Sequence, residues 1–170
     1  MDALLIEQII RVIAATLCGA AIGYERELKN KPAGFFTFTL VSVGSCLIAI
    51  LQQNLFNTYP NSEPGRIIAQ VVSGIGFLGA GSIIHNRGNV QGISTAAMLW
   101  LVSGLGLLIG TGGLNNYVIA GITVLIILPI TMYSRGLSER LAKTKKVQRM
   151  RIVFEDNKEK QLFDNLASQG

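Results

Sequence analysis

The chain has 170 residues, of which 49% are hydrophobic and only 15% charged, and 15 Lys and Arg outnumber 10 Asp and Glu to give a net charge of +5. A soluble domain carries charge on nearer a quarter of its residues, and here the charges cluster and leave long uncharged tracts, which excludes an ordinary soluble domain. The basic excess lies in short segments beside those tracts, where membrane orientation explains it and no nucleic acid partner is needed.

About 20 apolar residues suffice to cross a bilayer as a helix. In chain order, five transmembrane helices are predicted: Leu4–Gly23, Gly34–Phe56, Ile67–Ile84, Ile93–Ile109 and Tyr117–Ser134. The first holds Glu7 and Arg11 and is not followed by a small-residue cleavage site, so it reads as a retained span and not a signal peptide. Glu7 and Arg11, four residues apart, are expected to pair near its outer end. Cys18 and Cys46 fall inside spans and read as small apolar fillers, not a disulfide. The last two spans come from one uncharged tract broken by "GTGGLNN" at Gly110 to Asn116, a turn signal by composition.

Arg26, Lys29 and Lys31 lie in the loop after the first span, Arg87 follows the third, and a run of Lys and Arg follows Ser134. The opposite side carries Arg66. The positive-inside rule then places the N-terminus outside and the basic loops and tail in the cytoplasm. The expected class is thus an all-α integral membrane protein, with residues 1–134 forming the transmembrane domain. Residues 135–148, "RGLSERLAKTKKVQ", read as a basic cytoplasmic linker helix. Residues 149–170 read as one strand and the start of a helix, which cannot bury a core alone.

One stretch invites a different reading. Gly74-Ile75-Gly76-Phe77-Leu78-Gly79 matches the G-x-G-x-x-G dinucleotide fingerprint, but that motif requires a preceding strand and an acid about 20 residues on. Between Glu63 and Glu139 there is no Asp or Glu. The glycines are therefore read as membrane residues. Gly74 and Gly81 fall on one face of a helix and Gly76 and Gly79 on nearly the opposite one, so the helix is slim on two sides, as suits the middle of a bundle or a dimer seam. Gly19 and Gly23, and Gly106 and Gly110, make further G-x-x-x-G pairs. A second reading stays open, in which the glycine run is unwound and its backbone lines an ion or ligand path.

Three segments carry a family resemblance. "GYERELKNKPAG" (Gly23 to Gly34), "RIIAQVVSGIGFLGAGSI" (Arg66 to Ile83) and "NVQGISTAAMLW" (Asn89 to Trp100) resemble, in that order, motifs of the MgtC/SapB family of bacterial membrane proteins. The resemblance covers roughly Ile10 to Gly113. It implies a multi-pass protein of the bacterial plasma membrane, tied to growth at low magnesium and, in some pathogens, to survival inside macrophages. Family members have been described as regulators, including of the proton-driven ATP synthase, and others as magnesium transporters. They continue into a cytoplasmic ACT-like α+β domain, of which Arg149 to Gly170 resembles the opening. The chain departs from the pattern at Gly34-Phe35-Phe36-Thr37-Phe38, where the family commonly reads G-x-R-T-H, and at Ser94, where Thr or Asn is usual.

The residues those motifs single out are Gly23, Glu25, Arg26, Glu27, Glu63, Arg66, Gln70, Ser94 and Thr95. Glu25 and Glu27, at the cytoplasmic end of the first span, read either as an interfacial cluster with Glu25 paired to Lys29 or as oxygen ligands for a hydrated Mg²⁺. Mg²⁺ is the one cofactor or cargo this suggests. Arg66 is within reach of Glu63 as a helix-start pair. Gln70 suits a bundle interior, and Ser94 and Thr95 suit a helix N-cap. His85 has no second His or Cys near it for a metal site, and Trp100 is expected to pack. No nucleophile and base pair is visible, so the expectation is a non-enzymatic protein. Its expected partners are the lipid bilayer, a second copy as a homodimer, and a membrane complex such as ATP synthase.

Overall fold

A computed structural model describes residues 3–59, 63, 65–86 and 89–144. Residues 1–134 form one compact unit and 135–170 a second. The elements are α1 (Ala3–Leu28), α2 (Phe35–Thr58), α3 (Arg66–Gly81), β1 (Ile84–Asn86), β2 (Asn89–Gln91), α4 (Ile93–Thr111) and α5 (Leu114–Thr144). α5 extends past Ser134, the predicted end of the fifth span, to Thr144, while residues 145–170, expected to hold the rest of the linker and the start of a cytoplasmic domain, lie outside the described residues.

α1, α2 and α4 make the core. Ser42 of α2 donates its hydroxyl to the Ala15 carbonyl of α1, and Gly106 and Gly110 of α4 abut the Ser42 and Cys46 backbone of α2. This succession makes α2 parallel to α4 and α1 antiparallel to both. Phe38, Ile22, Val102 and Cys46 are fully buried between them. The approach is close because the residues are small. A Cβ added at Gly19 would sit 2.7 Å from the Phe38 carbonyl oxygen, and one at Gly23 would sit 2.8 Å from Phe35 Cα. Without a hydrophobic force between helices in lipid, such backbone proximity is what supplies the packing energy.

Among the described residues four helical stretches are long and apolar enough to cross a membrane: α1, α2, α4 and Leu114–Tyr133 of α5. The chain is accordingly a multi-pass membrane protein. The third predicted span is shorter than expected. Its helix stops at Gly81 and not Ile84, leaving 16 residues that reach about 24 Å against a hydrocarbon core of about 30 Å. Ile84 instead opens a two-stranded antiparallel hairpin pairing with Gln91, an element the apolar pattern concealed.

α3 packs on α2 and α4 at the edge of the bundle, not in its middle. Ile75 and Gly79 are its buried residues. α5 is also peripheral, meeting the core through buried Ala120 with Tyr117, Val124 and Leu128 partly buried beside it. The predicted turn between α4 and α5 narrows to Gly112 and Gly113, with φ of +78° and +91° that only glycine adopts readily.

Candidate functional site

Polar side chains gather at the two ends of the α1–α2–α4 core and at one point midway. At one end, Arg11 is 3% exposed inside the bundle. Its guanidinium donates to Glu7 Oε1 at 2.6 Å, to Gln53 Oε1 of α2 at 2.5 Å and to the Gly110 carbonyl of α4 at 2.9 Å. The last bond joins a cation to the carbonyl-rich C-terminus of a helix, where the macrodipole favours positive charge. Gly112 has no room for a Cβ because the same guanidinium lies against it. Outside this cluster Gln8 donates to Asn54 Oδ1 at 2.9 Å. The expected Glu7–Arg11 pair is thus present, but it is one arm of a clamp across three helices.

Midway, Ser45 and Ser103 share a buried hydroxyl pair at 2.8 Å between α2 and α4. These residues stand in runs of apolar ones, and the sequence offers no periodic signal to separate them from ordinary small fillers.

At the other end, Glu25 and Arg26 are buried and Glu27 is exposed. Glu25 Oε1 lies 2.7 Å from Lys29 Nζ, as the four-residue spacing predicts, and Glu25 Oε2 lies 3.9 Å from Arg26 Nη1. Lys29 also donates to the Thr131 carbonyl of α5. Arg26 Nη2 reaches Ser94 Oγ on α4 at 3.4 Å, and the neighbouring Thr95 is fully buried with its hydroxyl unbonded among the described residues. Neither Ser94 nor Thr95 caps α4. Its N-cap is Gly92 at φ +93°, where a Cβ would run into the Ser82 carbonyl.

Glu27 points elsewhere. Its Oε2 accepts the Phe35 backbone N–H at 2.8 Å, at the start of α2, where Gly34 provides no side-chain cap. A carboxylate at a helix N-terminus satisfies an orphan donor and meets the positive end of the dipole. A Cβ at Gly34 would overlap the Glu27 carboxylate, so a side chain there would have to push this cap aside. Glu25 and Glu27 are thus engaged on different partners, Lys29 and the Phe35 amide. Among the described residues no group of three or more His, Cys, Asp and Glu could hold a metal ion.

The other predicted residues separate. Glu63 and Arg66 are both exposed and, contrary to expectation, form no ion pair with each other. Gln70 lies on the exposed side of α3, where with Gly74, Gly44 and Ser45 it lines a cavity of about 550 Å³ between α2 and α3. Gly79 is in ordinary contact with Ala96 of α4, whereas Cβ atoms at Gly74, Gly76 and Gly81 would meet nothing within 4 Å. Of these four glycines Gly79 alone is used within the chain, while Gly76 beside it and Gly74 and Gly81 on the other face are left open. Trp100 is 57% exposed and does not pack as expected. Cys18 and Cys46 are buried and free, and the His85 side chain lies outside the description.

Sequence reasoning missed Gln53, Ser45, Ser103 and the Gly110 carbonyl. A usable signal existed for the first. Gln52 and Gln53 are adjacent amides at the end of an otherwise apolar helix, and both bond between helices, Gln52 Oε1 accepting from Ile68 N at 2.9 Å.

A sequence model of the MgtC family matches residues 12–140. The chain is 44% identical over 122 residues to Protein MgtC of Salmonella typhimurium strain LT2, covering 72% of this chain and 51% of that protein. It is 36% identical over 129 residues to a putative magnesium transporter, YhiD, of Escherichia coli K12, covering 73% of this chain and 60% of YhiD. A Haemophilus influenzae protein described as uncharacterized is 37% identical over 123 residues, covering 68% and 52%. The chain thus spans between half and three fifths of the length of these relatives. No solved structure matches it.

Proposed function

The chain belongs to the MgtC family, and from that premise we propose that it is a non-enzymatic plasma-membrane protein of magnesium homeostasis, acting by binding another membrane complex. The proton-driven ATP synthase is the partner that the family resemblance suggests. In this reading the N-terminus is outside, Glu25 and Lys29 lie at the cytoplasmic end, and α3 completes a fifth crossing within a locally thinned bilayer.

One observation carries the choice of regulator over transporter. Glu25 is held by Lys29 and Glu27 by the first amide of α2, so each carboxylate is engaged on a different partner. The buried polar groups tie helices to one another. α3 offers the contact surface, since Ala69, Ser73, Gly76 and Ala80 share one exposed face on which another helix could approach closely. Affinity capture from membranes tests this. Gly76→Leu should abolish recovery of the partner complex, or of a second copy, without lowering the thermal midpoint, because nothing in the chain lies within 4 Å of that position. Undiminished capture would refute the role of α3.

A Mg²⁺ transporter is the second reading. It is favoured by the buried position of Glu25 on the wall of a cavity of about 400 Å³ between α1 and α5, and by the description given to YhiD.

A further inference from the structure

α1 and α5 enclose two cavities that meet at Ala21. The larger, about 430 Å³, is lined by Leu17, Cys18, Gly121 and Val124 among others, and almost all its surface is apolar. The second, about 400 Å³, continues between Leu28 and Leu128 and reaches Tyr24, Glu25 and Lys29. From Ile10 to Lys29 the groove follows some 28 Å of α1, close to the thickness of a bilayer's hydrocarbon core. It is open at the side, and a void between membrane helices left unfilled forfeits the dispersion contacts of its walls.

The geometry points to a bound anionic phospholipid, with one acyl chain in the groove beside Leu128, Ala21 and Leu17 and its phosphate at Lys29. Two observations select this occupant. The groove is apolar along its length and polar at one end, as is a lipid. That end also carries Lys29 and, two residues on, the exposed Lys31, cations that an anionic headgroup complements at the membrane surface. Lys29 remains bonded to Glu25 and to the Thr131 carbonyl, so a phosphate there would join an existing network linking α1 to α5. The lipid would occupy the space by which α5 stands off from the core. This assignment depends on the membrane placement and is independent of whether the protein moves Mg²⁺.

Photolabelling of the full chain tests it. The protein is reconstituted in phosphatidylcholine vesicles containing a trace of either phosphatidylglycerol or phosphatidylcholine with a diazirine on the acyl chain, and labelled residues are mapped by mass spectrometry. Label from the glycerol lipid should concentrate on Leu17, Ala21 and Leu128, exceeding the choline lipid there by about fivefold, the factor one basic residue contributes at an anionic surface. Gly121→Leu fills the groove without a clash, since a Cβ at Gly121 meets nothing within 4 Å, and should remove that excess. Lys29→Gln should equalise the two lipids while Lys29→Arg retains the preference. Equal labelling by both lipids in the native protein, label spread evenly onto exposed Leu40 and Leu47 of α2, or an unchanged pattern in Gly121→Leu would each overturn the assignment.

Discussion

Arg11 Nη1 donates to the carbonyl oxygen of Gly110 at 2.9 Å, a buried bond that ties the first helix of the bundle to the C-terminus of the fourth. With Gln53 also accepting from Nη1 and Glu7 from Nη2, this one side chain closes the end of the core on three helices. Bonds to a charged group contribute more than neutral ones, about 1.5–3 kcal/mol each in mutational series. Arg11→Ala should therefore lower stability by about 2–3 kcal/mol, read as a lower apparent midpoint in detergent. Arg11→Lys keeps the charge but not the fork and should fall between. An unchanged midpoint in Arg11→Ala would show that the clamp is ornamental.

The glycines should divide into two classes. Gly106 and Gly110 abut the α2 backbone, so Ala at either must displace a helix and should cost about 1–3 kcal/mol as an overpacked core position. Gly74→Ala, facing open space, should leave the isolated protein's stability unchanged within error. Comparable losses at all three positions would contradict the packing described.

Ser45 and Ser103 should behave as a unit. Removing one hydroxyl leaves the other buried without its partner, whereas removing both leaves neither. A double-mutant cycle with Ala should give a coupling of about 0.6 kcal/mol and at most about 1.7 kcal/mol, the mean and the maximum found for such bonds between membrane helices. Additive losses would mean the two hydroxyls are not coupled.

Glu27 should act locally on α2. Glu27→Ala removes the acceptor at Phe35 N and the negative charge at the helix start, worth about 0.3–1 kcal/mol. Hydrogen exchange in the first turn of α2 should accelerate in Glu27→Ala, and Glu27→Gln, which keeps an oxygen acceptor, should lose less. Unaltered exchange would contradict the cap.

What the sequence made legible follows its physics. Runs of apolar residues located both ends of α2 and α4 and the starts of α1 and α5 to within a few residues, because hydrophobic length is a property of the run itself. But α1 continues to Leu28 and α5 to Thr144, through charged residues that such a run does not include. The four-residue spacings gave both Glu7–Arg11 and Glu25–Lys29, since a helix alone brings such residues together. Partners distant in sequence were not legible: Arg11 with Gln53 and Gly110, or Glu27 with Phe35, depend on which helix lies beside which. The glycines of α3 show the same limit. Two slim faces were readable from periodicity, but only packing reveals that Gly79 is used within the chain while Gly76 is left facing outward. The hairpin at Ile84 was hidden because a short strand at the end of an apolar run has the composition of the helix it follows.

The most direct test of the regulatory reading is Mg²⁺ entry into proteoliposomes holding purified, correctly oriented protein and a trapped Mg²⁺ indicator, beside Glu25→Gln and Glu27→Gln variants. With both carboxylates engaged within the fold, uptake should not exceed that of protein-free vesicles, and neither variant should differ from the native chain. Saturable uptake that Glu25→Gln abolishes would contradict the account and make the cavity beside Glu25 part of a transport route.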